Sequence, residues 1–398
     1  MLRRAILITA FLCGGPPLLL TIWIVAPAPS YSLFEVAVGA SEWSLWFGAM
    51  GAAGAALSLL ARAAGSGRAA WLALSLCVAA VLLSLIPPLD AWRVARENRV
   101  ELSLGQYLFG SRDDHVASVE RTTETFATVE GQTLKLDVYL SPSKETTFPR
   151  AAVLVVHGGS WSAGERSDYP MWNEWLARQG YAVFDVDYRL APQPNWQTAT
   201  ADVKCAVGWV RANAARFAVD PARIALLGRS AGGHLALLAA YSANEDALPP
   251  GCAAPDTSVR AVVSLYAPTD LRWGYEHPAN ERVLDGPGKI RDFVGGTPQS
   301  APEAIRLASA TTHVNSLSPP TLLFHGGRDQ LVGDRHMSLL TERLSQHRVA
   351  HRALLIPYAQ HAFDYNFDGW GSQLMRPLLL NFLREHLNSG SSRTSPGA

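Results

Sequence analysis

The stretch 224–233, which reads IALLGRSAGG, decides the fold class of this 398-residue chain. Four apolar residues in a row are typical of a short strand that is buried on both faces. Residues 228–232 then form the pattern G-x-S-x-G, in which two glycines avoid a Cβ clash in a tight turn from strand to helix. The helix that opens at Ala231 favours developing negative charge at its N-terminus. The pattern therefore predicts that Ser230 is a nucleophile at the carboxyl end of a buried strand.

Strands and helices alternate on both sides of this turn. Short apolar runs predict further strands at 151–156, 181–186, 261–265, 321–324 and 353–356. Periodic segments predict helices at 171–180, 200–215, 231–240, 336–346 and 382–387. Upstream, apolar and polar residues alternate at 125–129 and 134–140, as in the two strands of an antiparallel hairpin. This order predicts an α/β fold with a doubly wound, mostly parallel sheet, whose sites gather at the carboxyl ends of strands.

A glycine pair follows the strand at 151–156, in the segment 157–161 (HGGSW). Glycines here let backbone N–H groups approach a reacting carbonyl oxygen. We expect an oxyanion hole made by the backbone of Gly158, Gly159, Ser160 and Ala231. The alternative is a plain Gly-Gly turn. We interpret the imidazole of His157 as a structural hydrogen-bonding group and not as a base.

A serine nucleophile needs a base and an orienting carboxylate. His361 follows the strand at 353–356, and Asp329 follows the strand at 321–324. The chain order Ser230, Asp329, His361 is the order expected when the serine stands in a nucleophile elbow. Asp334 is the second candidate for the orienting carboxylate. Three further histidines are interpreted as structural or exposed: His234, His325 and His336.

Residues 120–387 resemble the α/β-hydrolase superfamily, and more narrowly the hormone-sensitive-lipase-like and feruloyl-esterase-like carboxylesterases. These in turn resemble kynurenine formamidases and isoprenylcysteine methylesterases. The resemblance rests on HGGSW at 157–161, DYRLAP at 187–192, GRSAGG at 228–233, HGGRD at 325–329 and on His361. Arg229, where many relatives have Asp, and the lack of a third glycine after His157 fit the feruloyl-esterase-like side. The resemblance does not extend to residues 1–110.

The resemblance implies hydrolysis of a carboxylic ester through an acyl-enzyme on Ser230, with His361 as general base and Asp329 orienting it. An amidase or peptidase could use the same triad, and a non-catalytic binding protein could use the same fold. The sequence shows no metal cluster, phosphate-cradling loop or dinucleotide fingerprint, so we expect no metal and no cofactor.

The segment 271–314 is rich in Gly and Pro and comes between two core strands, so we expect it to cover part of the site. Trp161 is our candidate for substrate binding. Four other tryptophans either line an aromatic pocket or pack in the core, namely Trp172, Trp175, Trp196 and Trp273.

Charge is distributed very unevenly along the chain. Lys+Arg and Asp+Glu both total 34, so the net charge is zero, which argues against a nucleic-acid partner. Residues 1–89 hold only six charged residues, while the other 309 hold 62. The second part carries 30 basic and 32 acidic residues, so an uncharged small-molecule or lipid ester is the expected substrate.

Three uncharged runs lie in this first part, at 5–26, 43–61 and 69–89. Each is long enough for a helix to cross a bilayer core, and we predict a three-helix transmembrane region over 1–89. The first run also resembles a signal peptide, although it is long for one. Pro16 and Pro17 would kink a helix there without forbidding it.

Flanking arginines predict the orientation. Arg3 and Arg4 precede the first run, Arg62 and Arg68 lie between the second and third, and the loop 27–42 has no Lys or Arg. This places the N-terminus in the cytoplasm and the C-terminal domain on the extracytoplasmic side, with membrane lipid as a partner. If the first span is a signal peptide and is removed, the two remaining spans still place the C-terminal domain on the extracytoplasmic side. Three arginines directly after the third run argue against this orientation: Arg93, Arg96 and Arg99.

Small residues in the second run permit close approach of helices, either within the chain or in a homodimer. They are Gly48, Gly51, Ala52, Gly54 and Ala55.

The segment 90–118 is a connector, which either extends the third helix or lies on the membrane surface. We place a catalytic domain at 119–388 and a disordered tail at 389–398. Of the four cysteines, Cys205 and Cys252 lie in this domain, where a disulfide and two free thiols are both open alternatives.

Overall fold

A computed structural model describes residues 2–111, 119–142, 149–190, 194–243, 245–254 and 256–387 of the chain. Our predictions for the tail at 389–398, the end of the connector and the end of the DYRLAP segment lie outside the described residues.

The helices and strands follow one another in the predicted alternation. The helices are α1 (Leu2–Thr21), α2 (Tyr31–Glu42), α3 (Ser44–Ala63), α4 (Gly67–Ser84), α5 (Ile86–Asn98), α6 (Leu104–Phe109), α7 (Pro170–Arg178), α8 (Trp196–Ala212), α9 (Ala231–Tyr241), α10 (Leu271–Glu276), α11 (Gly286–Val294), α12 (Pro302–Leu307), α13 (Arg335–Gln346) and α14 (Trp370–Leu387). The strands are β1 (Glu120–Val129), β2 (Gln132–Leu140), β3 (Arg150–Val156), β4 (Ala182–Val186), β5 (Val219–Arg229), β6 (Ala261–Leu265), β7 (Thr321–Gly326) and β8 (His351–Ile356).

The strands form one eight-stranded sheet in the order β1-β2-β4-β3-β5-β6-β7-β8. β1 and β2 form the hairpin, and β2 pairs antiparallel with β4. All neighbours from β4 to β8 are parallel. The predicted fold class, a doubly wound and mostly parallel α/β sheet, is therefore confirmed.

The central strands are apolar on both faces because helices cover both faces. In β3, Ala152, Leu154 and Val156 point into a core that includes residues of α8, α9 and α13. The alternate residues of β3 point into a second core, which includes residues of α5, α7 and α14. Two-sided burial explains why this strand reads as a continuous apolar run.

Three helical segments at the N-terminus are long and apolar enough to cross a membrane, namely Leu2–Ile24, Ser44–Ala63 and Gly67–Asn98. Pro16 and Pro17 lie inside α1, which continues past them. Gly54 of α3 lies so close to α1 and α4 that a Cβ there would be 2.7 Å from Cys13 Cβ and Cys77 Sγ. Packing within the chain thus explains the need for a small residue at Gly54. Ala52 is exposed and does not take part in this packing.

The connecting loop 27–42 contains a helix that we did not expect. Ser30 begins α2, and its hydroxyl accepts a hydrogen bond from the N–H of Leu33. The connector also begins as helix, since α5 follows α4 with only Leu85 between them, in helical conformation. Of our two alternatives for the connector, the described part shows the extension of the third helix.

Candidate active site

Ser230 stands at the turn from β5 to α9, in a strained backbone conformation with φ 54° and ψ −122°. Such conformations persist only where the surroundings enforce them. A Cβ on Gly228 would overlap the carbonyl of Gly232, and one on Gly232 would overlap the carbonyls at the end of β3. Both positions therefore need glycine, as the G-x-S-x-G pattern implies.

The side chains of Ser230, His361 and Asp329 form one hydrogen-bonded chain. His361 Nε2 lies 2.9 Å from Ser230 Oγ, and His361 Nδ1 lies 2.7 Å from Asp329 Oδ2. With the carboxylate accepting at Nδ1–H, Nε2 is left to accept the hydroxyl proton of the serine. The three residues come from the carboxyl ends of β5, β7 and β8. The geometry is that of a nucleophile, a general base and an orienting acid.

Asp329 is itself held by the backbone. Its Oδ1 accepts the N–H groups of Leu331 and Val332 at 2.8 and 2.9 Å, which leaves Oδ2 for His361. Asp334, the second candidate for the orienting acid, lies directly before α13. The carboxylate that bonds the imidazole of His361 is that of Asp329.

Four other histidines near the site are buried and structural. Burial lowers the pKa of His234 to about 4 and that of His336 to about 3, so both rings are neutral. His325 bonds the carbonyl of Val332 and also has a pKa lowered by burial. His157 bonds the carbonyl of Gly158, stacks on Tyr188 and has a pKa lowered by burial. None of these rings is the one placed against Ser230.

The predicted oxyanion-hole residues lie around the serine. A Cβ on Gly158 would be 3.3 Å from Ser230 Cβ, and Ser160 and Ala231 line the same pocket as Ser230. Gly159, Ser160 and Trp161 all have positive φ values (106°, 52° and 60°), which coil the loop around the site. Among the hydrogen bonds of the described residues, none uses the N–H of Gly159, Ser160 or Ala231. These groups are free to bind a ligand oxygen.

A pocket of about 610 Å³, counting the space at its mouth, lies above the serine. Trp161 lines it, stacks on Phe293 at 4.2 Å and donates its Nε1–H to His234. Of the other four candidate tryptophans, Trp172 and Trp175 pack around Phe367 and Trp196 lies in the core. Trp273 stacks on His277, which is itself a pocket residue.

The segment 271–314 covers part of the site, as expected. It contains α10, α11 and α12 between β6 and β7. Its first half supplies about half of the pocket lining, including Pro278, Ala279, Leu284 and Ile290.

A buried ion pair beneath the serine was not predicted. Arg229 Nε lies 2.6 Å from Asp364 Oδ2, and Tyr266 donates its hydroxyl proton to Asp364 Oδ1 at 2.6 Å. The ring of Tyr266 packs against the ring of His361. The position of Asp364, three residues after His361, is the only hint in the sequence that this carboxylate lies near the site. Nothing in the sequence pairs it with Arg229.

The N-terminal region contacts the loop that carries Asp329, and this contact was also missed. Arg328 donates to the carbonyl of Val25 at 3.2 Å, and Gln330 accepts from the N–H of Ala28 at 2.6 Å. Asn280 donates to the carbonyl of Ala28 at 2.8 Å. The residues on both sides of Asp329 are thus bonded to the segment between α1 and α2.

Cys205 and Cys252 are joined by a disulfide, with their Cα atoms 5.8 Å apart. It links α8 to the segment that precedes β6. Cys13 and Cys77, in the N-terminal helices, are free thiols.

Several known proteins similar to this chain are esterases by name, and others are non-reducing polyketide synthases. The chain is 36% identical over 230 residues to Esterase LipC of Mycobacterium tuberculosis (strain ATCC 25618 / H37Rv). This match covers 55% of this chain and 54% of LipC. It is 31% identical over 242 residues to the Probable carboxylic ester hydrolase LipM of the same organism, over 59% of this chain and 54% of LipM. The chain thus spans about half the length of the curated relatives it matches.

Solved structures share the fold. The thermophilic esterase Est2 of Thermogutta terrifontis superposes with a TM-score of 0.53 at 24% identity, over 70% of this chain and 96% of Est2. The model of the family BD-FAE matches residues 136–344, which is more than half of the chain and runs from within β2 to within α13. By this match, the chain belongs to the BD-FAE family of the α/β-hydrolase fold.

Proposed function

We propose that this chain is a membrane-anchored serine hydrolase that cleaves carboxylic esters through an acyl-enzyme. The observation that carries the proposal is the hydrogen-bonded chain from Ser230 through His361 to Asp329, with distances of 2.9 and 2.7 Å. Such a chain activates a hydroxyl that is otherwise a weak nucleophile.

In the first half-reaction, Ser230 Oγ attacks the ester carbonyl while His361 Nε2 takes the hydroxyl proton. The imidazolium then protonates the departing alcohol, and the acyl group remains on the serine. In the second half-reaction, water loses a proton to His361 and releases the acid. Asp329 keeps the imidazole in one tautomer and stabilises its charged form.

Negative charge develops on the carbonyl oxygen in both half-reactions. The free N–H groups of Gly159, Ser160 and Ala231 are the donors that we assign to it, with Gly158 supporting the loop. One such donor contributes roughly 10²–10³ in rate in other serine hydrolases.

Ester bonds are the favoured substrate because three of the relatives are named for them, namely LipC, LipM and the Ethyl acetate hydrolase of Pseudomonas putida. An amidase or a binding protein on the same fold remains an outcome of the test below. Three expectations from the sequence stay predictions. They are the absence of a cofactor, the absence of a nucleic-acid partner, and the homodimer contact as an alternative to packing within the chain.

Membrane anchoring is the second part of the proposal. It is supported by the three helices that are long and apolar enough to cross a bilayer. The arginine distribution supports a catalytic domain on the extracytoplasmic side.

The test is the full-length Ser230→Ala variant in detergent or vesicles, assayed with a short-chain nitrophenyl ester. We expect a loss of at least about 10³-fold in kcat, because the remaining groups cannot form an acyl-enzyme. Ser242→Ala is the matched control, since Ser242 is also buried at the end of α9, and its hydroxyl donates to the carbonyl of Leu238 in the same helix. The proposal is falsified if Ser230→Ala keeps wild-type activity, and greater turnover of acyl amides than of esters would favour an amidase.

A further inference from the structure

We propose that the pocket takes the acyl chain of a lipid ester directly from the membrane, past the segment 25–30 and helix α2. This deepens the proposed esterase function and rests on it. The substrate class is then an ester with a long acyl chain that resides in the bilayer, and not a water-soluble ester.

The first step is the position of the site relative to the spans. The first apolar segment ends at Ile24, and α3 begins at Ser44, so the residues between them lie where two spans leave the membrane. These same residues bond Arg328 and Gln330, the neighbours of Asp329. At its other end, α2 reaches Asn366, whose side chain donates to the carbonyl of Glu42. The carboxyl edge of the sheet, which carries the serine, therefore faces the membrane surface.

The second step is that the pocket and the segment share a wall. Ala28 and Phe34 form a small buried cluster with Val283, and Leu331 packs against it. Leu331 lines the pocket, as does Leu284, the next residue after Val283. One side of the pocket is thus backed by residues of α2 and of the segment before it.

The third step is the chemistry of that wall. Pro278, Ala279, Leu284 and Leu331 give it an apolar surface. An acyl chain leaves one apolar environment, the bilayer, and enters another, so its transfer carries little hydrophobic cost.

The fourth step is the outer face of the same region. Tyr31 is 50% exposed and Val25 is 36% exposed, and Trp43 and Trp46 nearby are also exposed. Aromatic side chains with this placement are typical of residues that lie at the headgroup level of a membrane. The surface beside the pocket is thus suited to lie among lipid headgroups, where the exposed Glu35, one turn after Tyr31, already places a charge. A second charge, at Tyr31, would oppose the passage of an acyl chain.

The fifth step is rigidity. Helix α5 continues from α4 and packs against α14 and β8 of the catalytic domain. Because no flexible linker separates α4 from this contact, the catalytic domain is held at the membrane surface at a fixed distance.

The experiment uses the full-length enzyme in phosphatidylcholine vesicles with two fluorogenic esters. Methylumbelliferyl palmitate partitions into the bilayer, and methylumbelliferyl acetate reports the chemical step in water. Tyr31→Asp places a charge on the outer face of α2, at its first residue, where a carboxylate is compatible with the helix. We expect the palmitate-to-acetate ratio of kcat/KM to fall at least about tenfold, with acetate turnover unchanged within about twofold.

Two controls accompany this variant. Tyr31→Phe keeps an apolar face and should keep the wild-type ratio. Leu317→Asp puts the same charge on an 89% exposed leucine just before β7, at the opposite edge of the sheet, and should also keep the ratio.

Two results would overturn the access route: an unchanged ratio in Tyr31→Asp, or a parallel loss on both esters in that variant. Failure of the wild-type enzyme to hydrolyse either ester would instead overturn the proposed esterase function, so the two failures are distinguishable.

Discussion

Asp329 shows how much of the site depends on a single carboxylate. One of its oxygens bonds the imidazole of His361, and the other is held by two backbone N–H groups. The side chain is buried, so a change in either set of bonds cannot be compensated by water. The role that we propose for Asp329 is to orient His361, and in the described residues it is Asp329 and not Asp334 that bonds the imidazole.

A comparison of two asparagine variants separates these acids. In Asp329→Asn, the side-chain amide cannot hold the imidazole in the tautomer that accepts the serine proton, so kcat on a short-chain ester should fall by about 10⁴-fold. Asp334→Asn should stay within about twofold of wild type, because Asp334 has no hydrogen bond to His361 in the described residues. The opposite order of the two effects would assign the acid to Asp334.

At the residue scale, sequence patterns indicate which side chains follow strands but not which side chains meet across the fold. Ser230, Asp329 and His361 each come just after an apolar run, and parallel strands carry all such positions to one edge. The pair Arg229–Asp364 is different, since it joins residues 135 positions apart beneath that edge. Its formation depends on the way α14 and the segment before it pack against the sheet, which no local pattern encodes.

At the element scale, the predicted strands correspond to the buried parts of the observed ones. β5 begins at Val219, five residues before the predicted start, because its first residues are partly exposed and interrupt the apolar run. α14 begins at Trp370, well before the predicted 382, because Pro377 and the burial of residues all round it hide the helical period. Two-sided burial makes strands easy to recognise and makes the start of a buried helix hard to recognise.

Helix α2 was missed although its sequence contains a signal. Ser30 is a suitable N-cap, and Phe34, Ala37 and Ser41 recur at helical spacing and are all buried. The position of the segment between two apolar runs predicts a loop that connects two spans. Part of the buried face of α2, at Phe34, packs against Val283 of the catalytic domain, and this contact is not visible in the sequence.

The disulfide between Cys205 and Cys252 closes a loop of 47 residues. Closure of such a loop restricts the unfolded chain, so the double variant Cys205→Ala/Cys252→Ala should lose about 2–4 kcal/mol in the free energy of unfolding. Thermal unfolding with and without reductant measures this: reductant should lower the Tm of the wild type and leave the double variant unchanged. Alkylation of both cysteines in unreduced protein from the native compartment would contradict the prediction.

At the scale of the whole molecule, the N-terminal helices and the catalytic domain share one hydrophobic core. Ala91, Val94 and Ala95 of α5 lie in the same buried cluster as the residues of β3 and α14. Tyr107 of α6 stacks on Trp370 at 4.4 Å, and its hydroxyl accepts the N–H of Leu45. The composition of the sequence divides the chain near residue 90, but the packing joins its two parts there.

The orientation in the membrane is a prediction that single cysteines can test. Ser32→Cys lies on the exposed face of α2, and Ala64→Cys lies in the exposed turn between α3 and α4. If arginines mark the cytoplasmic side, a membrane-impermeant maleimide should label Ser32→Cys in intact cells and Ala64→Cys only after permeabilisation. The wild-type chain gives the background from Cys13 and Cys77. Labelling in the reverse order would place the catalytic domain in the cytoplasm.

The continuity of α4 and α5 also bears on how the enzyme could be released from the cell. Many surface enzymes are shed when a protease cuts an exposed stalk between anchor and catalytic domain. Here, a cut before α5 falls inside a helix, and a cut after it removes Ala91, Val94 and Ala95 from the core. Proteolytic shedding would therefore yield a damaged enzyme, and the activity should remain with the membrane fraction throughout the life of the protein.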